Sequence, residues 1–301
     1  MIKSFEEVLK IAKERGPKKV AVACAQDRDV LKAIEDARKR GIVEAILVGD
    51  QAQIEILAKE EGIDLSAYEV IDLPDLQEAS LKAVTLVSSK EAHMVMKGLV
   101  DTSIILKAVL NKEVGLRTGS VLSHVAVFDV ENYPRLLLVT DAAMNIAPDL
   151  NQKKQIIENT LVVAKGLDND MPKVGVICAK EKVNPKMPAT VDAAALVEMN
   201  ENGTLTGCIV GGPFGLDNAV SEEAARLKGI DHPVAGKADV LLCPNIESAN
   251  VLYKTLGFLT NAKSAGIIVG AKAPIILTSR ADSEEAKLNS IALGVLMAAK
   301  M

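Results

Sequence analysis

The sequence predicts an α/β fold, and three observations predict it. Short, nearly continuous apolar runs recur from one end of the 301 residues to the other, and stretches with helical periodicity separate them. Aromatic residues make up only 2% of the chain and Trp is absent, so the core is built from Ala, Val, Ile and Leu. Runs that are apolar at every position are strands covered on both faces, and their alternation with helices implies mainly parallel sheets joined by crossovers.

In chain order the runs are KKVAVACA (18–25), EAILVGD (44–50), HMVMKGL (93–99), RLLLVTDAAM (135–144), KVGVICA (173–179), GCIVGGPF (207–214), ADVLLCPN (238–245) and GIIVGAKAPIILTS (266–279). The opening MIKSFEEVLKIAKERG spaces its apolar residues as an amphipathic helix of mixed charge and lacks the continuous apolar core of a secretory signal. Helical periodicity also marks 27–40, 151–166 and 221–228, the second with Asp149 or Asn151 available as cap. Residues 283–300 are apolar on more than one face and must pack against other elements. A chain of this length accommodates one large or two medium domains. The polar break NIAPDLNQKKQ, with Pro148, places a boundary near 145–150.

Composition narrows the function. A net charge of −5 argues against electrostatic binding of nucleic acid, which needs a basic field. No stretch approaches the roughly 18 uninterrupted apolar residues of a membrane span. Cys24, Cys178, Cys208 and Cys243 are scattered through apolar runs without metal-ligand spacing and read as buried small hydrophobes, which suits a reducing cytoplasm. His93, His124 and His232 are too far apart to suggest a metal site, and none is expected.

Sheets of this kind bind ligands at the carboxyl ends of their strands. The candidate segments are therefore 97–101, 141–145, 179–186, 211–217, 244–250 and 278–282. Among them TSRADS (278–283) ends a strand and opens a helix. The helix N-terminus together with Arg280 and the Ser279 hydroxyl can make an anion cradle, and the competing reading is an ordinary helix start capped by Ser283.

The order of motifs is more specific than any one of them. VAGKAD (234–239), PNIESANVLYK (244–254) and AGIIVGAKAPIILTSR (265–280) resemble the phosphotransacylase family, the phosphate acetyltransferases and phosphate butyryltransferases. MVMKGLVDT (94–102), KEVGLRTGSVLSHVAVF (112–128), TDAAMNIAPDL (140–150), NPKMPATVDAA (184–194) and GPFGLDNAVSEEAA (212–225) resemble the butyryl branch in particular. The resemblance covers essentially the whole chain.

The resemblance implies two α/β domains like those of isocitrate and isopropylmalate dehydrogenases, with the site in the cleft between them. Residues 1–145 and 281–301 would form the first domain and 146–280 the second. It implies reversible acyl transfer between coenzyme A and inorganic phosphate, butanoyl-CoA plus phosphate giving butanoyl phosphate plus CoA. The acyl-CoA is a substrate, no cofactor is permanently bound, and the family forms dimers or larger homo-oligomers. Alternatives are the acetyl-specific activity and, more distantly, an NAD(P)-dependent decarboxylating dehydrogenase of the same fold, whose acidic metal cluster and arginine-rich segment are not assembled in this sequence.

Carried over by motif position, Ser279 and Arg280 contact phosphate and the developing charge on the acyl carbonyl. Arg can hold phosphate through two parallel bonds where Lys cannot. Acetyl-type members place an Asp base at the position of Ala286, so Glu285 is the candidate base here, with a solvated helix carboxylate as its competing reading. Lys107 stands where those members have Arg and reads either as a substrate contact or as a surface lysine. Arg117, Lys180, Asp217 and Asn250 complete the expected substrate-binding set. Capping competes for Asp217 and Asn250, a plain turn for Arg117 and a solvated charge run for Lys180. None of the cysteines has the surroundings of a nucleophile, so a direct attack of phosphate on the thioester is expected.

Overall fold

The structure, a computed structural model, describes residues 1–278 and 282–301. The chain opens with α1 (Phe5–Arg15), whose inward stripe is Phe5, Val8 and Ala12, and continues through β1 (Lys18–Ala23), α2 (Arg28–Lys39) and β2 (Val43–Gly49). Next come α3 (Gln51–Glu61), a short 3-10 turn at Leu65–Ala67, β3 (Glu69–Asp72), α4 (Leu76–Ser88), β4 (Met94–Lys97) and α5 (Thr102–Val109). The second run holds β5 (Ser123–Asp129), β6 (Leu137–Thr140), α6 (Leu150–Gly166), β7 (Lys173–Ile177), α7 (Pro188–Glu201) and β8 (Ile209–Phe214). The chain closes with α8 (Leu216–Val220), α9 (Glu222–Leu227), β9 (Val240–Leu242), α10 (Ile246–Leu259), β10 (Lys263–Val269), β11 (Ile275–Ile276) and α11 (Glu284–Ala298).

Side-chain caps start most of these helices where the sequence allows one. Asp27, Asp50 and Asp75 accept from backbone N–H groups in the first turns of α2, α3 and α4. Asp149 and Gln152 form a reciprocal capping box on α6, and Pro188 opens α7 at a position where its missing N–H costs nothing.

Two compact units result. One comprises Phe5–Ser120 and Ala265–Met301, the other Met1–Ser4 and Val121–Ser264. This division differs from the break expected near 145–150. β5 pairs antiparallel with β6, from Val125↔Thr140 to Phe128↔Leu137, and so residues 121–145 go with the later strands. Residues 265–280 go with the N-terminal strands, because β11 pairs with β4.

In the first unit the strands run in the order β3-β2-β1-β4-β11, followed by β10. All neighbouring pairs are parallel except β10 with β11. The chain builds outward from β1 to β3 and then returns to the other side of β1 with β4, which makes a switch point between β1 and β4. There the backbones close up: Gly98 N donates to Ala23 O at 2.8 Å and Leu99 N to Cys24 O at 2.8 Å. A Cβ on Gly98 would lie 2.2 Å from the Cys24 carbonyl oxygen, so only glycine fits. α11 is buried at every residue from Ala286 to Met297. It packs on α1 and α2, and at Gly294, where a Cβ would come within 2.9 Å of Met94 Sδ, it lies directly on β4.

In the second unit the order is β5-β6-β9-β7-β8, with β9 inserted between β6 and β7. Its core contains Phe128, Val139, Phe214, Leu241 and Ala249, against which Leu252, Tyr253 and Leu256 of α10 pack.

One polar network tests how far charge contributes. Glu35 accepts from Arg38 Nε at 2.9 Å and Nη2 at 3.1 Å and from the Tyr68 hydroxyl at 2.5 Å. The Arg38 bonds above all hold its carboxyl at about 2. The folded value lies below the ~4.3 of an unfolded Glu, so this stabilisation is present above that pH and is lost as pH falls toward the folded value. Glu35→Gln should lower the thermal midpoint at pH 7 by a few degrees, on the order of 1–2 kcal/mol. Melts followed by circular dichroism should show the gap from wild type closing as pH falls below about 4.

Candidate active site

The carboxyl edge of the first unit collects Gly98, Lys97 and the chain leaving β11. Lys97 is 8% exposed, and its Nζ donates to Gly98 O at 3.4 Å. β11 is in parallel register with β4, Ile275↔Val95 and Ile276↔Met96, so the chain beyond Ile276 leaves the sheet at the same edge. The expected pair Ser279 and Arg280 lies outside the described residues.

The chain resumes at Asp282, and its return is fixed by charge. Lys287 is 3% exposed; its Nζ donates to Asp282 O at 2.6 Å and lies 3.8 Å from Asp29 Oδ2 in the first turn of α2. Lys32 of α2 pairs with Glu284. Ser283 Oγ accepts from Ala286 N at 3.1 Å, so Ser283 is the cap of α11. Glu285 stands on the exposed first turn of that helix while Ala286 beside it is buried.

Lys107 is exposed on α5 and lines a cavity of about 280 Å³ with Gln77, Leu81, Ser103, Ile104 and Asn111. Arg117 is exposed, with its backbone bridged to Ala271 in the turn between β10 and β11. Thr118 Oγ1 donates to Gly270 O at 2.5 Å and Lys272 N to Leu116 O at 2.8 Å, which clamps the same turn. That turn leads into the start of β11, hence to the end of β4 opposite Lys97. The structure therefore does not bring the Arg117 backbone to the edge that holds Lys97.

At the carboxyl edge of the second unit, Asp141 organises one loop. It is 3% exposed; Oδ1 accepts from Ala143 N and Met144 N, each at 3.0 Å, and Oδ2 from Asn145 N at 3.2 Å and Asn145 Nδ2 at 2.5 Å. Asn250, exposed on α10, donates from Nδ2 to Ala142 O at 3.1 Å and so ties α10 to this loop.

Beside it, Lys180 projects exposed beyond β7, and the next residue, Glu181, accepts from Asn218 Nδ2 at 2.7 Å and Lys228 Nζ at 2.7 Å. Asp217 Oδ2 lies 3.0 Å from the same ammonium. Lys228 foremost, then Asn218, holds the Glu181 carboxyl at about 2. Asn218 is fully buried, and its Oδ1 makes no hydrogen bond. Lys228 and Glu181 were not singled out from the sequence, since they are distant in the chain and lie in ordinary charged stretches. The same holds for Asp29 and Lys287.

All four cysteines are buried and unpaired with one another. Burial pushes the Cys178 and Cys208 thiols up to about 11 and Cys243 to about 12, so at neutral pH they stay protonated and are poor nucleophiles. His124 is buried on β5, edge-on to Tyr253 at 5.8 Å. Among the described residues no group of three His, Cys, Asp or Glu is placed to hold a metal ion.

The fold is that of a phosphotransacylase. A branched-chain phosphotransacylase from Enterococcus faecalis superposes with a TM-score of 0.83 at 32% identity, covering 93% of this chain and 99% of that one. A family model described as phosphate acetyl/butaryl transferase matches residues 4–79 and 73–295, and the chain belongs to that family. A phosphate butyryltransferase from Clostridium beijerinckii is 56% identical over 300 residues, covering 100% of this chain and 99% of that protein. Another from Clostridium acetobutylicum is 54% identical over 99% of each. A phosphate acetyltransferase from Thermotoga maritima is 46% identical over 98% of this chain and 99% of that protein. A putative 4-hydroxythreonine-4-phosphate dehydrogenase from Salmonella typhimurium shares only the fold, with a TM-score of 0.56 at 13% identity.

If Lys287 anchors the return into α11, Lys287→Met should loosen the segment 282–287 while the apolar stem still fills its site. Amide hydrogen exchange there should speed up about tenfold, the kinetic equivalent of one lost charged hydrogen bond, with the strands of the same unit unchanged.

Proposed function

We propose that the protein transfers a short acyl group reversibly between coenzyme A and inorganic phosphate, acting on butanoyl-CoA to give butanoyl phosphate and CoA. The observation that carries this reading is the end-to-end identity of 56% and 54% to proteins named phosphate butyryltransferase. The acetyl-specific alternative rests on the 46% identity to the Thermotoga maritima phosphate acetyltransferase and is the weaker of the two.

In this reading a phosphate oxygen attacks the thioester carbonyl carbon, and the tetrahedral oxyanion collapses as the C–S bond breaks. Arg280 grips the phosphate through paired N–H bonds and Ser279 donates to the oxyanion, the positions at which fixed donors contribute most. The thiolate leaves and takes up the proton that the attacking hydrogen phosphate gives up. In the reverse direction Glu285 is the carboxylate assigned to receive the thiol proton, and its exposed position on α11 is compatible with that. No residue need be acylated, which accords with thiols held protonated by burial.

The remaining assignments concern binding. The cavity lined by Lys107 offers apolar walls at Leu81 and Ile104 with polar groups at Gln77, Ser103 and Asn111, a surface for part of an acyl-CoA. Lys180 and Arg117 supply exposed cations for phosphate groups. Asp217 and Asn250 act through what they hold, Lys228 and the 141–145 loop respectively. The acyl-CoA is consumed as substrate and no cofactor stays bound. We place the enzyme in the cytoplasm as a homo-oligomer, with unpaired cysteines supporting the first assignment and the exposed face of α10 the second.

Thiol release from butanoyl-CoA, measured with and without phosphate and alongside NAD(P) reduction, tests the reading. Release should require phosphate, no nicotinamide should be reduced, and kcat/KM for butanoyl-CoA should exceed that for acetyl-CoA by roughly tenfold or more, two methylenes contributing about 1–3 kcal/mol each at most. Release that ignores phosphate would make the protein a thioesterase and end the proposal.

A further inference from the structure

Three lysines are buried among the described residues, Lys97, Lys153 and Lys287. Lys153 and Lys287 stand on helices, their ammonium groups 2.5 Å from Asp192 Oδ2 and 3.8 Å from Asp29 Oδ2 on neighbouring helices. Lys97 is placed differently. It is the last residue of β4, in register with Ala23 of β1 on one side, and β11, paired with β4 as far as Ile276↔Met96, lies on the other. Its backbone is therefore held in the middle of the sheet, at the switch point where sheets of this kind place a ligand.

Strand alternation fixes the face on which the side chain lies. Met94 meets α11 at Gly294, where a Cβ would come within 2.9 Å of Met94 Sδ, so Met94 and Met96 face α11 while Val95 and Lys97 face the other side. That side is the one α4 covers, since Cys24 Sγ donates to Leu76 O at 3.6 Å and lies 3.8 Å from Ser80 Oγ. Burial above all raises the Cys24 thiol, and the Lys97 charge is among the groups that pull it back, which puts the ammonium near the end of β1. Lys97 Nζ also donates to Gly98 O at 3.4 Å, which keeps it at the carboxyl edge.

We propose that Lys97 is a further catalytic residue, whose ammonium binds a non-attacking oxygen of inorganic phosphate alongside the guanidinium of Arg280. The inference rests on the acyl-transfer reading and deepens it. β11 leads out of the sheet next to Lys97, and the chain runs on to Ser279 and Arg280. Phosphate brings roughly two negative charges at neutral pH, of which one guanidinium balances about half. Lysine is a compact point charge suited to phosphate, and out of water its pull on an anion is several times that of an exposed lysine. A central strand also holds the group more precisely than a loop would. The ammonium keeps its proton throughout, so it neutralises and orients the nucleophile while hydrogen phosphate gives its own proton to the departing thiolate.

Thiol release from butanoyl-CoA, followed at varied phosphate and at varied thioester, reads the outcome on Lys97→Met, which keeps the apolar stem, and on Lys97→Arg. Met should raise KM for phosphate about tenfold or more and leave KM for butanoyl-CoA within about twofold, and Arg should recover part of the loss. With no thioester present, inorganic phosphate should raise the thermal midpoint of the wild type, and Lys97→Met should need about tenfold more phosphate for the same rise. Lys97→Gln takes both measurements if the Met variant fails to fold. A folded neutral variant with the wild-type KM for phosphate or the wild-type phosphate titration, or one that raises KM for butanoyl-CoA alone, would overturn the proposal and leave acyl transfer standing. Wild-type thiol release that ignores phosphate would overturn both.

Discussion

The buried ammonium of Lys287 decides where the chain re-enters its own unit. A charge at 3% exposure is costly unless it is bonded, and here the Asp282 carbonyl and the Asp29 carboxylate offset that cost. Because α11 is sealed against α1, α2 and β4 from Ala286 onward, the helix cannot slide to relieve the contact. With β11 locked in register beside β4, both ends of the segment carrying Ser279 and Arg280 are tied to rigid elements. The catalytic role proposed for Ser279 and Arg280 would gain from such anchoring, since preorganised donors act without reorganising during the reaction.

The two units reach a comparable arrangement by different connections. Each has a switch point, between β1 and β4 in one and around the inserted β9 in the other, and in each the polar residues gather at the carboxyl ends. Backbone approach at Gly98 shapes the first edge. A carboxylate saturated by four N–H groups, Asp141, shapes the second, with the Glu181–Lys228 tie beside it. These are bonds that stiffen loops, and stiff loops can present neighbours such as Lys180 in a defined place.

Much of this was legible because it is local. Apolar runs marked nearly every strand, Asp149 announced the start of α6, and the all-round apolarity of 283–300 required the burial that α11 shows. β3 and β5 fall outside those runs; β3 is an edge strand with exposed or half-exposed residues throughout and lacks an apolar run. The run 266–279 contains the reversal between β10 and β11, which Gly270, Lys272 and Pro274 mark inside an otherwise apolar stretch. For the candidate site, Ser283 makes the capping bond that its residue type favours, whereas Asn250, expected otherwise as a cap, lies inside α10 and ties it to the 141–145 loop. The ion pairs that join Lys287 to Asp29 and Lys228 to Glu181 bridge distant parts of the chain, and no spacing rule reveals them.

Family membership sets the class of chemistry, and the mechanism proposed for it centres on the Arg280 guanidinium neutralising phosphate as the thiol departs. The most direct measurement is phosphate-dependent thiol release from butanoyl-CoA by Arg280→Gln, compared with wild type and Arg280→Lys. The account predicts that Gln lowers kcat/KM by about 100-fold or more, that Lys recovers part of the loss, and that both variants melt like wild type. An Arg280→Gln enzyme that turns over at the wild-type rate would contradict it.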